Sequence, residues 1–562
     1  MNTTRFHRLR IVVILIALAA LIAPATFAAT PVQAQAAKKV LRYSQSEPDT
    51  IDPQRASYVN QVALVQGMFR GLLRYDEKGN PTPSIAKEVP TVANGGISKD
   101  GLTYTYKLGT FKWSDGKGVV TAGDFVYSLQ RLVDPALASP YGGFLNDIVV
   151  NATEIQDGSA KPDTLGVKAV DDKTLEISLA KPVSYLNSVM SLWATYAVRK
   201  DNVERAGDPS SGAWTDPANG PVVGSGPFIL TKWDHQKEIV FDKNPNFGGS
   251  LAKIDQVVMP LTDDAAVAYA GYRAGELDVA AFPAAEYPAV LADPVLSKQL
   301  ISYEDTCVTY LAMNNNKPPF NNVKVRQAFA TAIDRDLYVK VIALGLAKPY
   351  FSFLPPAVPG NDAKQGLEYK FDAAKAKKLL ADGGFPDGKG FPRVKFNYTA
   401  SAPNQRRFDW FQAQFKTVLN VDISANPMDG ASFQAATNVP ADADKLEGLT
   451  RAGWCADYLH ASDYLSLVLG GGGDKGNALN IAAYKSAEFD KLAKEADNTL
   501  DATKQNELYK KTQQVLLNDS PVAFINTGLN VILVNPKVKN LKPSALDSGQ
   551  PGTFFWEDIE LQ

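Results

Sequence analysis

Residues 451–458 read Arg451-Ala452-Gly453-Trp454-Cys455-Ala456-Asp457-Tyr458, which puts a cation, a large aromatic, one of only two cysteines and a carboxylate within eight positions. Glycine, tryptophan and tyrosine around one aspartate read as a strand running into a turn, with side chains converging on a cavity. Such a carboxylate suits an ammonium group, because away from water the pair makes a charge-assisted hydrogen bond about twice as strong as a neutral one. The plainer reading is that Asp457 caps a turn while Trp454 fills a core. Other chemistries lack their side chains. Beyond residue 36 only His235 and His460 remain, which argues against a histidine-rich metal site. No serine sits in a nucleophile-elbow pattern. Val223-Gly224-Ser225-Gly226 is followed by no Lys-Ser/Thr pair and by no direct helix, so it is not a phosphate loop. His460, three residues past Asp457, reads first as a solvated turn and second as a pocket residue.

The elements that must position these groups follow from periodicity. Residues 1–36 form an export signal: Arg5, Arg8 and Arg10 start it, residues 11–22 are apolar, and Ala34-Gln35-Ala36 offers a cleavage site. That apolar run is too short for a membrane anchor, and no cysteine near the cleavage region offers a lipid attachment point. Loss of the signal takes the net charge from −2 to about −5. This mildly acidic remainder has no basic stripe for nucleic acid. Its length, roughly 525 residues, implies two or three domains. A strand at 40–43, a helix over 62–73, strands at 102–108 and 174–179, and a hairpin turn at Asp115-Gly116 are expected. Thr121, with Asp124 three residues later, should cap a helix. Further on come a hairpin near 237–241, a helix delivering a strand over 269–279, a helix over 323–336 and another over 373–380. A βαβ-like unit follows, with strands at 394–398 and 421–423 around a helix at 405–418. Gly470 to Gly473 reads as a loop, residues 489–496 and 504–517 as helices, and residues 526–533 as a return crossing.

Arg451 to Tyr458, together with Asn314-Asn315-Asn316-Lys317-Pro318-Pro319-Phe320 just after Cys307, resemble the signature of the periplasmic oligopeptide-binding proteins of ABC importers, in solute-binding protein family 5, the peptide/nickel type. Phe111-Lys112-Trp113-Ser114-Asp115-Gly116-Lys117 and the capped helix after it are similar to the same family. The resemblance implies an α/β, two-lobed periplasmic-binding-protein-like fold, type II of the large peptide-binding cluster, with an extra subdomain. Residues 37–69, 200–306 and 529–562 would form lobe I, residues 70–199 its extra subdomain, and residues 307–528 lobe II. It also implies a Cys307–Cys455 disulfide, as expected of two cysteines in an exported chain. By the same resemblance Asp457 would take a peptide's N-terminal amine, with Trp454 and Tyr141 walling the first pockets and Arg451 and Tyr310 supporting them. Cys455, Val59 at the cleft lip and Asn404 complete the ligand-binding candidates. Several departures stand out. An acid of the family falls near Ser57, a lysine near Ala343 and a histidine near Asn404, and a tyrosine-rich crossing strand is replaced by Asn526-Thr527-Gly528. Arg451 and Arg406 are the substitutes for holding the far carboxylate. The expected protein is therefore a monomeric periplasmic carrier of short peptides working with ABC permease subunits, not an enzyme, with no cofactor and no metal. A same-fold binder of a modified or cell-wall peptide or an opine-like compound is the first rival, and an exported peptidase the second.

Overall fold

The computed structural model describes residues 37–437, 439, 445–471, 477–547 and 552–562; the expected signal lies outside them, as does half of the glycine run from Gly470 to Gly473. The widest sheet is built on two long strands, Leu300–Met313 and Val522–Val534, which lie antiparallel from Leu300 opposite Leu533 to Ala312 opposite Val522. Val279–Ala280 and Ala347–Pro349 pair with the second of them. On the free side of Leu300–Met313 runs Leu449–Trp454, antiparallel, followed by Val394–Thr399 and Ile423–Met428, which are parallel to each other.

Those last two strands flank helix Ala402–Leu419, so the expected βαβ unit is present. Its helix forms for legible reasons. The Ser401 hydroxyl accepts from the Asn404 amide, proline stands in the first turn, Phe408, Phe411, Phe415 and Val418 bury one face, and Asn420 closes the end in the left-handed region. Elsewhere, Val40–Arg42 joins a four-stranded sheet with Gln256–Pro260, Glu238–Lys243 and Phe228–Asp234, and Thr103–Lys107, Thr174–Ser178 and Val167–Asp171 make a three-stranded one. Helix Ala122–Val133 carries the expected reciprocal cap, with the Asp124 amide donating to the Thr121 hydroxyl and the Thr121 amide to the Asp124 carboxylate. Gly116, at φ 74°, makes the turn between Lys112 and Val119.

Two helices differ from expectation. The one expected over 62–73 spans Val59–Met68. Its start lies earlier because the Gln61 side-chain oxygen accepts from the amides of Ser57 and Tyr58 at 2.7 and 3.0 Å. Its end lies earlier because Leu73 enters strand Leu73–Tyr75, paired with Pro81–Pro83. The helix expected over 323–336 is two, Val323–Thr331 and Arg335–Val341, because Asp334 turns extended and its carboxylate caps the second.

Buried side chains gather into separate clusters. One holds residues from Val308 to Ile525, another from Leu72 to Val223, a third runs from Leu41 to Met259 and includes Ile532, Val534 and Trp556, and a small one surrounds Tyr272 and Val290. Each fully buried Phe or Leu in them is worth about 1.5–3 kcal/mol. Tyr75 belongs to the first cluster and Tyr458 to the second, so each has crossed to the core opposite its own sequence neighbours.

Candidate functional site

Strand Leu449–Trp454 delivers the octapeptide. Val308 pairs with Trp454 and Leu311 with Arg451, and one residue beyond that register Cys307 and Cys455 are joined by a disulfide across a Cα–Cα distance of 3.9 Å. The chain then leaves the sheet under tight restraint. The Ala456 amide donates to the Thr306 hydroxyl at 3.1 Å, the Asp457 amide to an Asp463 carboxyl oxygen at 3.2 Å, and the Leu459 amide to the Tyr75 hydroxyl at 3.3 Å. These bonds satisfy backbone donors that the strand no longer can.

Asp457 opens into a cavity of about 320 Å³ lined by Val59, Tyr75, Tyr141, Trp193, Leu192 and both cysteines among others. The Tyr141 hydroxyl donates to the Asp457 carboxylate at 3.0 Å. The Tyr141 ring in turn sits edge-on to Trp193, with centroids 5.1 Å apart, and 4.8 Å from Phe144. Burial pushes the Asp457 carboxyl up to about 6, against the opposing pull of the Tyr141 hydrogen bond. No lysine, arginine or histidine pairs with it among the described residues.

A second cavity, of about 230 Å³, lies along the same strand and is lined by Arg451, Ala452, Gly453, Tyr398, Thr399, Asn404 and Phe433 among others. The Asn404 side-chain oxygen accepts from Arg407 at 2.7 Å, while its amide donates to Thr399. Burial and the neighbouring Arg407 lower the Arg451 guanidinium from its ordinary value, opposed by a hydrogen bond with Tyr338. Arg451 Nε has no partner, and no carboxylate pairs with Arg451 or Arg407 among the described residues.

The structure thus brings Asp457, Tyr141, Val59 and Cys455 to one cavity and Arg451 and Asn404 to another. Trp454 and Tyr310 line neither. The Trp454 indole instead donates to Asp463 at 3.0 Å. Tyr310 is 2 % exposed, packed edge-on against Phe353, and supports the strand opposite Ala452 from within the core. His460 is not in a solvated turn: it is buried, its ring bonds Ser462 and Gln505, and burial lowers it to about 4. Trp193 and Tyr75 escaped sequence reasoning because they stand in distant segments without a motif, and Asp463, five residues past the octapeptide, because only the turn Ala461–Asp463 brings it back to Trp454 and Asp457. The described residues hold no group of three or more His, Cys, Asp and Glu side chains suited to a metal ion.

The family model described as bacterial extracellular solute-binding proteins, family 5 Middle, matches residues 80–476. The periplasmic oligopeptide-binding protein OppA of Salmonella typhimurium is 33% identical over 526 residues, 92% of each chain. The probable deoxycholate-binding periplasmic protein YgiS of Escherichia coli is 31% identical over 516 residues, 90% of each. Among solved structures, the unliganded open form of the periplasmic murein tripeptide-binding protein MppA superposes with a TM-score of 0.78 at 27% identity, covering 94% of this chain and 98% of that one. With a family match over most of its length and relatives aligned nearly end to end, the chain belongs to the family 5 bacterial extracellular solute-binding proteins and has their two-lobed α/β periplasmic-binding fold.

Proposed function

We propose that this protein captures short peptides between its lobes in the periplasm and delivers them to the permease subunits of an ABC transporter. The observation that carries the reading is the Asp457 carboxylate, held by Tyr141 in an aromatic cavity without a cationic partner among the described residues. A peptide's terminal ammonium supplies that partner. The backbone beside it supports an extended guest. Leu449–Trp454 pairs with Val394–Thr399 only at Leu449 and Thr450, so among the described residues one edge of the strand has no register partner from Arg451 to Trp454. A peptide added there as a strand gains affinity from main-chain hydrogen bonds, whatever its side chains.

Arg451, backed by Arg407, would receive the carboxylate at the far end. Val59 and Tyr141 would wall the first residue, with Cys307–Cys455 as part of the floor. The hydrophobic clusters support the division into lobe I (37–69, 200–306, 529–562), its subdomain (70–199) and lobe II (307–528). The relatives named as periplasmic binding proteins support a periplasmic carrier rather than an enzyme. The basic and apolar make-up of residues 1–36 supports its release by removal of that segment, and it would work as a monomer. No helix among the described residues is long and apolar enough to cross a membrane.

Isothermal titration of Asp457→Asn with free-amine peptides tests the reading. Affinity should fall by about 2–5 kcal/mol, because the ammonium would be buried without its counter-charge. Wild-type protein should discriminate similarly against N-acetylated peptides. Undiminished affinity in the variant would rule out Asp457 as the receiver of the amine, and failure of the wild-type protein to bind free-amine peptides at all would favour an amine-free ligand, such as the deoxycholate named for one relative.

A further inference from the structure

Directly behind the ammonium site stands a second carboxyl group. Asp463 is 0 % exposed. It is brought there by the short 3-10 turn Ala461–Asp463, which His460 caps by accepting from the Ser462 amide. One of its oxygens, Oδ2, accepts from both the Trp454 indole at 3.0 Å and the Asp457 amide at 3.2 Å. The other, Oδ1, has no hydrogen-bond partner among the described residues.

The groups facing Asp463 are acidic or neutral. On its own segment they are Asp457, Tyr458 and Tyr464, the last donating its hydroxyl to the Thr306 carbonyl. Tyr75 and Tyr141 face it from elsewhere in the chain. His460 spends its ring nitrogens on Ser462 and Gln505. No lysine, arginine or histidine pairs with Asp463 among the described residues. Two carboxylates in one dry site do not both ionise, because each loses hydration and repels the other. Of the pair, the more deeply buried one keeps the proton, and a neutral carboxyl can still accept two hydrogen bonds on its carbonyl oxygen.

We propose that Asp463 is a protonated positioning residue that holds the backbone of Asp457 and the indole of Trp454 in place, so that the ammonium site presents a single negative charge. This rests on the reading of Asp457 as the receiver of the amine. It explains why Trp454 stands in the octapeptide yet lines neither cavity: the indole is spent on a neutral carboxyl that orients the charged one.

The test is rescue by a neutral isostere. Trialanine with a free amine, titrated calorimetrically from about pH 5 to about pH 8, brackets the Asp457 transition. Asp463→Ala orphans two donors and admits water; it should weaken binding roughly ten-fold at neutral pH and move the acid limb to lower pH. Asp463→Asn offers both donors an acceptor and cannot ionise. It should restore the affinity to within about two-fold and return the acid limb to its wild-type position. If Asp463→Asn instead weakens binding as far as Asp457→Asn does, Asp463 is a charged counter-ion and the proposal is overturned while the ammonium reading stands. A harmless Asp457→Asn overturns both.

Discussion

In the proposed role, Asp457 would meet a peptide amine only over a limited range of pH, set by two opposing titrations. Burial brings its carboxyl to about 6, so the free site is charged above that value and neutral below it. A peptide's α-amino group titrates near ~8 and is cationic below it. The sign therefore differs on the two sides. Affinity for free-amine peptides should peak between the two values, fall by up to about ten-fold per unit as pH drops below the Asp457 midpoint, and fall again as the amine deprotonates. Calorimetric affinities across this range check it, and a flat acid side would show that the carboxylate carries no part of the binding. Tyr141 sharpens the effect: its hydroxyl donates to the charged form, so Tyr141→Phe should move the acid limb upward.

At the scale of elements, strand Leu449–Trp454 serves as a wall with one side sewn in and the other partly open. The Cys307–Cys455 bond closes the seam at the end nearest Asp457, over a sequence separation of 148. A loop of that size is worth at most ~4–5 kcal/mol on a loop-entropy account, and measured values commonly run lower. The double replacement Cys307→Ser, Cys455→Ser should lower the chemical denaturation midpoint, with a loss of about 2–4 kcal/mol. Both cysteines also line the cavity at Asp457, so on the proposed reading peptide affinity should fall in the folded variant. Equal stability with and without the bond would mean that the Val308–Met313 pairing alone holds the strands in register.

Across the whole molecule, contacts beyond the cavity join residues 70–199 to residues 307–528. Tyr185 stacks on Tyr458 with centroids 5.7 Å apart and lies 5.2 Å from His460. The Ser184 amide donates to the Asp497 carbonyl at 3.2 Å, and Gln505 bonds the Ser184 hydroxyl. A ligand between lobes stabilises their closed state only by its differential affinity for it; on the proposed lobe division, these contacts add to the same side of the balance. Tyr185 does not line the cavity at Asp457. Tyr185→Ala should nevertheless weaken peptide affinity by a few-fold, since an aromatic pair is worth about 0.5–1.5 kcal/mol. Small-angle scattering should show a larger radius of gyration for the variant at subsaturating peptide, and an unchanged affinity would make the contact incidental to closure.

The family was legible only through resemblance of whole motifs; from residue types and spacing came the octapeptide, the carboxylate in it, the reciprocal cap at Thr121 and Asp124, and a βαβ-like unit over 394–423. All of these are local patterns, encoded by capping chemistry, turn residues and periodicity, which act over a few positions. Tertiary structure alone decided which side of the strand faces the cavity. A period of two tells which residues share a face but not which face is empty, and so Trp454, expected in the pocket wall, turned to Asp463 instead. Trp193 and Tyr75 reached the cavity from distant segments, and Tyr310 went into the core, because long-range sheet pairing and the crossing of Tyr75 and Tyr458 between clusters settle what converges. The pairing of two carboxyl groups, with one of them kept neutral by the other, exists only once the chain has folded around both.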